Sequence, residues 1–269
     1  MNFHLTPDGR RYLNMGQGKA EPMPFCLRPL LPMICGTSTP RWIAVTVLGL
    51  VTSVALTGVL ASNMGATQAQ AVLAMVLIAG LPSLRFSFFA PVLVDAPGMA
   101  FALGAAVLWP IDPVWSFVSM TLGALISEKV PIWAAVFALQ PWLLLGLAVP
   151  VFIRLVVGKV ETDPSDPLAE TLNHPIIASR MHHHGKWRDP KLMILPWGAC
   201  LFAIAEPSPW LLIALAVGYA QLLVATDSVR LYQQAAPVVC VFAALSLPTE
   251  WALPAVLAHW FNPWMGDGV

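Results

Sequence analysis

Charge is what this sequence has least of. Only 10% of its 269 residues are Asp, Glu, Lys or Arg, and the 14 basic and 14 acidic side chains cancel. A soluble domain carries about 25% charged residues, so this chain lacks the polar surface to cover itself in water. The zero balance also leaves no electrostatic footprint for nucleic acid, and none is expected as a partner. Cysteine is sparse too. Cys26, Cys35, Cys200 and Cys240 show no Cys-x-x-Cys spacing, and no metal site is expected from the sequence. Cys200 and Cys240 sit in apolar runs and read as small hydrophobes. Cys26 and Cys35 are placed to bridge only if their segment faces an oxidising compartment. There is no Walker loop, dinucleotide fingerprint, Gly-x-Ser-x-Gly elbow or His-Glu-x-x-His. The first 40 residues hold no apolar core of a secretory leader, so no cleavable signal peptide is expected.

What the chain has in quantity is hydrocarbon. It is 58% hydrophobic, its mean hydropathy is +0.72, and its apolar runs are separated by short Pro-, Gly- or charge-marked breaks. That pattern predicts an all-α, polytopic integral membrane bundle. Seven to nine membrane segments are expected, some short, broken or re-entrant, and the localisation expected is the cell membrane.

Five regions follow from the composition. Residues 1–41 are an amphiphilic arm in which Thr6-Pro7-Asp8-Gly9 is a turn signal and five further prolines forbid a long helix. Residues 42–157 form an N-terminal membrane bundle whose first clear span is Trp42 to Ala61. Residues 158–191 are the one substantial hydrophilic loop, 192–261 a C-terminal bundle, and 262–269 a tail. Positive residues weight both the arm and the central loop towards the cytoplasm, which requires an even number of crossings between them. The run count gives five, so orientation stays open.

The polar residues inside the apolar runs need explaining, because an ionisable group at membrane depth costs about 2.5–3.5 kcal/mol on insertion scales. Asp227 and Arg230 lie one helical turn apart in Thr226-Asp227-Ser228-Val229-Arg230. They form either a paired site facing a cavity or an interfacial helix end. Asp95, beside Pro97 and Gly98, reads as the N-cap of a helix from about Ala96, a position that can also face a ligand. Ser83-Leu84-Arg85-Phe86 faintly echoes Ser228-Val229-Arg230-Leu231, as a matched interruption in two halves of a transporter would. His182-His183-His184 reads as solvated loop, and His259 as an interfacial histidine in an aromatic belt.

Three stretches carry a resemblance. Asp8-Gly9-Arg10-Arg11-Tyr12-Leu13-x-Met15-x-x-Gly18 is followed by Pro24-Phe25-x-x-Arg28-x-Leu30-Leu31-Pro32. Val94-Asp95-Ala96-Pro97 and Thr226-Asp227-x-x-Arg230 with Ala236-Pro237 come later. Together they resemble multi-pass membrane proteins related to GT-C glycosyltransferases, including short membrane proteins of that kind in actinobacteria and their phages. The resemblance implies transfer of a sugar from a polyprenyl-phosphate carrier at the extracytoplasmic face. Asp8 would be the catalytic base or metal-binding carboxylate, with a divalent cation as the candidate cofactor. Arg28 and Arg230 would be phosphate contacts, and Asp95 and Asp227 further substrate-binding residues. Two other readings stand beside it. One is a small transporter or channel whose midplane site is lined by Arg85, Asp95, Asp227 and Arg230. The other is a non-enzymatic membrane partner that uses its central loop.

Overall fold

A computed structural model describes residues 5–22, 24–157, 176–177, 191–223 and 233–262. Every regular element among them is helical. Contacts divide the chain into two units that are not contiguous in sequence: Met1–Leu56 with Ser87–Thr162, and Thr57–Phe86 with Asp163–Val269.

The first unit begins with α1, Pro7–Gly16. Thr6-Pro7-Asp8-Gly9 starts this helix rather than a turn. The Thr6 hydroxyl accepts a hydrogen bond from the Gly9 amide at 3.0 Å, and Pro7 takes the first helical position, where no N–H is needed. A single 3-10 turn, Phe25–Leu27, and α2, Leu30–Cys35, complete the arm. The prolines do keep these elements short.

Helix α3, Thr39–Asn63, is the long element. It has 25 residues and a mean hydropathy of 2.3, and at 1.5 Å per residue it measures about 37 Å. Its end is a Schellman stop. The Ala66 amide donates to Ala61 O and the Gly65 amide to Ser62 O, with Gly65 at φ +84°. Val47, Leu48 and Val51 on α3 are exposed, an apolar surface that lipid would cover.

Helix α4, Gln68–Gly80, starts on a capping box between Thr67 and Gln70. It leads at a 55° bend into α5, Pro82–Phe89. The end of α3, α4 and most of α5 belong to the second unit, and the first unit resumes with α6 (Asp95–Leu108), α7 (Pro113–Ala124), α8 (Val130–Ala138), a 3-10 segment (Pro141–Leu147) and α9 (Ala148–Val157). Asp112 caps α7 by accepting from the Val114 and Trp115 amides. The core of this unit holds Trp42, Leu103, Met120, Ile126, Phe137 and Leu143.

In the second unit a 3-10 segment, Leu195–Ala205, is broken at Gly198 (φ 53°). Then come α10 (Pro209–Ala220), α11 (Ala236–Ser246) and α12 (Ala252–Trp260). The stretch Gln233–Ser246 meets Thr249–Trp260 at a bend of 116°.

Among the described residues one helix is long and apolar enough to cross a membrane, or up to three if each bent pair is one span. That is fewer full-length spans than the seven to nine segments expected from hydropathy. Proline and glycine explain the difference. Pro141 and Gly198 break the backbone inside apolar runs, and Pro82, Pro113 and Pro131 each open a new short helix rather than extend a longer one.

Candidate functional site

The first unit gathers its polar side chains around one tyrosine. Tyr12 sits on α1 one turn after Asp8 and is 1% exposed. Its ring packs edge-on against Phe25, with centroids 5.3 Å apart, and lies 6.0 Å from Trp42. Trp42 is fixed in turn by its indole N–H, which donates to Gly36 O at 3.0 Å. The turn Phe25–Leu27 then delivers Arg28 to the tyrosine hydroxyl, to which Nη1 donates at 2.6 Å. Nε and Nη2 of the same guanidinium donate to Oε2 and Oε1 of Glu128, both at 2.6 Å. This is a bidentate, charge-assisted pair, and three of the five arginine N–H groups are used in it and in the tyrosine contact.

Glu128 comes from the polar break Ser127-Glu128-Lys129 between α7 and α8. The Leu30 amide donates to Leu125 O at 3.2 Å, which ties the arginine's segment to that loop. A second pair braces α1 from outside: Arg11 Nη1 meets Glu21 Oε2 at 3.1 Å, and Asn14 donates to Glu21 Oε1 at 2.7 Å. Arg11 and Arg28 both lie over the Phe25 ring, at 5.2 and 5.7 Å from its centroid.

Asp8 and Asp95 reach the same tyrosine through their charges. Burial raises the Tyr12 pKa most, the Arg28 guanidinium pulls it down, and Asp95 and then Asp8 push it up again, with a net rise. Asp8 and Asp95 are each half-buried. Their helices start side by side. A Cβ on Gly9 would sit 3.1 Å from Val92 O, in the segment that leads into α6. Asp95 is the first residue of α6, with Val94 as N-cap, one place later than the cap expected. It therefore acts there by charge on the helix N-terminus rather than by capping.

The centre is built on one paired charge. Burial alone would raise the Glu128 pKa, but the Arg28 charge and hydrogen bonds overcome this and hold it at about 2. Burial lowers the Arg28 pKa, and Glu128 and then Tyr12 raise it further, so the guanidinium stays charged. The neighbouring Lys129 charge lowers the Glu128 pKa as well. A divalent cation is the cofactor that the resemblance implies, and the donor set does not fit it. No group of three or more His, Cys, Asp or Glu among the described residues is placed to hold a metal.

Asp8, Arg28 and Asp95 thus fall in one cluster. Asp227 and Arg230 lie outside the described residues, as does His182-His183-His184. Arg85 belongs to the second unit, where it lies 4.8 Å from the Trp260 ring centroid and donates to Trp260 O at 3.2 Å. His259 is buried, not interfacial. Its Nδ1 accepts from the Ala199 amide at 3.3 Å, which leaves the proton on Nε2, 2.8 Å from Leu77 O. The bare backbones of Gly80 and Gly198 leave the room its ring takes up.

Sequence reasoning passed over Tyr12 and Glu128 as site members. The signal for Glu128 was present, since Ser127-Glu128-Lys129 interrupts apolar runs in the same way as the breaks that were singled out. Compared with protein families, curated proteins and solved structures, the chain matches none.

Proposed function

We propose that this chain is a multi-pass protein of the cell membrane, with several short or bent membrane segments, that handles a polyprenyl-phosphate-linked sugar in the manner of GT-C glycosyltransferases. The observation that carries the reading is the convergence of Asp8, Arg28 and Asp95 on buried Tyr12. These are three of the five residues that the resemblance selects, Asp227 and Arg230 lying outside the described residues, and they come from separate parts of the chain. Exposed apolar side chains on α3 and, on α9, Val151, Phe152 and Leu155 support a lipid environment.

In this reading Asp8 is the general base that takes the acceptor's proton. Asp95 orients the acceptor. Arg28 holds the tyrosine in place, and its two remaining N–H groups face the leaving phosphate. No step is routed through a metal. The test is sugar transfer from a polyprenyl-phosphate donor in liposomes. Asp8→Asn is expected to lower turnover by at least about a hundredfold while the variant stays folded. Unchanged turnover in that variant, or no transfer by the wild-type chain with any such donor, would sink the proposal.

A further inference from the structure

Two buried thiols in the second unit play no part in the polar cluster. Cys200 follows the Gly198 break in Leu195–Ala205, and Cys240 lies in the middle of α11. Neither has any exposed surface, and their Sγ atoms are 3.5 Å apart. That is sulfur–sulfur contact, and a closure of about 1.5 Å would bring the pair to disulfide bond length. Ala203, three residues after Cys200, and Ala236, Ala243 and Ala244, one turn to either side of Cys240, are small and buried.

Space lies beside the pair as well. Cys200 contributes to the wall of an apolar cavity of about 390 Å³ together with Met193, Trp197, Leu215, Tyr219 and Val239. The polar atoms of that wall satisfy one another: Trp197 Nε1 donates to the Tyr219 hydroxyl at 3.0 Å, which donates to Met193 O at 2.8 Å. A charged reagent gains nothing there. A small uncharged one can enter the cavity whose wall Cys200 completes.

We propose that Cys200 and Cys240 are a paired modification site, at which hydrogen peroxide, a small uncharged two-electron oxidant, converts the two thiols into one intramolecular disulfide. One sulfur attacks a peroxide oxygen, and the O–O bond breaks. The departing hydroxide takes the thiol proton as water and leaves a sulfenic acid. The second sulfur then displaces the hydroxyl from the first. The S–S bond forms, and the second proton leaves with that hydroxyl as another water. The two sulfurs lose two electrons, the peroxide gains them, and the product ties Leu195–Ala205 to α11 beside the cavity. This proposal is independent of the reading of the polar cluster.

The experiment uses the full chain with Cys26→Ser and Cys35→Ser, so that only this pair remains. After peroxide treatment, denaturation and maleimide alkylation, both thiols are expected to be lost together. The mass should fall by two hydrogens, and a peptide linking 200 to 240 should appear and vanish with dithiothreitol. The same peptide mapping on the four-cysteine chain reads the link directly, even where the double-serine chain fails to fold. The proposal is overturned if both thiols stay alkylatable under peroxide that oxidises an exposed control thiol. It is equally overturned if one sulfur goes to sulfinate without a linked peptide, or if links form only between chains.

Discussion

Arg28 and Glu128 show what a single residue contributes here. Arg28 is 9% exposed, so removing its partner leaves a charge with little water to replace it. About a quarter of the Glu128 side chain is exposed, so Glu128→Gln should destabilise the protein by less than about 3–5 kcal/mol, the loss for a fully buried pair broken from one side. Exchanging both residues, as Arg28→Met with Glu128→Leu, should recover most of that loss, because the desolvation of two charges disappears with them. Thermal unfolding of the three variants in one detergent checks this, and a double variant as weak as the single one would contradict it.

The pH dependence has a definite sign. Glu128 is held at about 2 by Arg28, below the usual carboxylate value of about 4.3. Its contribution is fully present above about pH 4.3 and is lost as pH falls towards 2. Glu128→Gln should flatten the stability profile within that window alone. Tyr12→Phe removes one hydrogen bond to a charged donor and should cost about 1.5–3 kcal/mol, measured by the same unfolding. None of this trio could be assigned from sequence. Arg28 and Glu128 are 100 residues apart, and nothing local marks one as the partner of the other. Asp95 was legible as a charge between apolar runs, whereas Asp8 and Arg28 stood out only through the resemblance.

At the scale of elements a residue acts on its own neighbours, although the caps were not read from the sequence: Thr6-Pro7 looked like a turn, and the cap expected at Asp95 falls one residue earlier, at Val94. Thr67 with Gln70 and Asp112 with Pro113 start α4 and α7 through caps that need no tertiary information. Packing between elements was not legible. A Cβ on Gly49 of α3 would lie 2.7 Å from the Pro97 backbone nitrogen, so the bare glycine lets the start of α6 close on α3 and sets where Asp95 stands. Gly49→Val should push that turn away. It should lower activity in the transfer assay together with stability, whereas the same change at exposed Gly18, where nothing lies within 4 Å but φ is +80°, should strain the backbone locally and leave the contacts around Asp95 intact. His259 binds elements together in the second unit by joining Leu77 O and the Ala199 amide. Its place beside Trp260 and Asn262-Pro263 suggested an interface, because the partners that bury it are distant in the chain. His259→Leu leaves two backbone groups unsatisfied at about 1–3 kcal/mol each. His259→Gln, which keeps a donor and an acceptor, should lose less on thermal unfolding.

At the scale of the whole chain, the stretch between Thr46 and Pro91 makes an excursion and a return. The Thr46 hydroxyl donates to Pro91 O at 2.6 Å, so the stretch between them leaves and comes back to one place. It leaves along α3, which is long enough to cross about 30 Å of hydrocarbon. After the Gly65 stop it continues as α4 and α5, whose 13 and 8 residues add up to about 30 Å of helix with only a 55° bend between them. A kink of that size shortens a span without reversing it, whereas the 116° bend between Gln233–Ser246 and Thr249–Trp260 turns the chain back. Hydropathy registers both as interrupted apolar runs and cannot separate them, since the angle is set by packing after the break. The first pair should therefore complete a membrane hairpin with α3. Asp8, Tyr12 and Asp95 would then lie at the face where α3 begins and α5 ends. Single cysteines at the exposed positions Thr37, Asn63 and Phe89, introduced into a chain with its own four cysteines replaced, test this in sealed vesicles of known orientation. An impermeant maleimide should reach Thr37→Cys and Phe89→Cys from the same side and Asn63→Cys only from the other. If Asn63→Cys and Phe89→Cys label together, α4 and α5 form a re-entrant loop. The polar cluster could then no longer be placed at the face to which the hairpin returns.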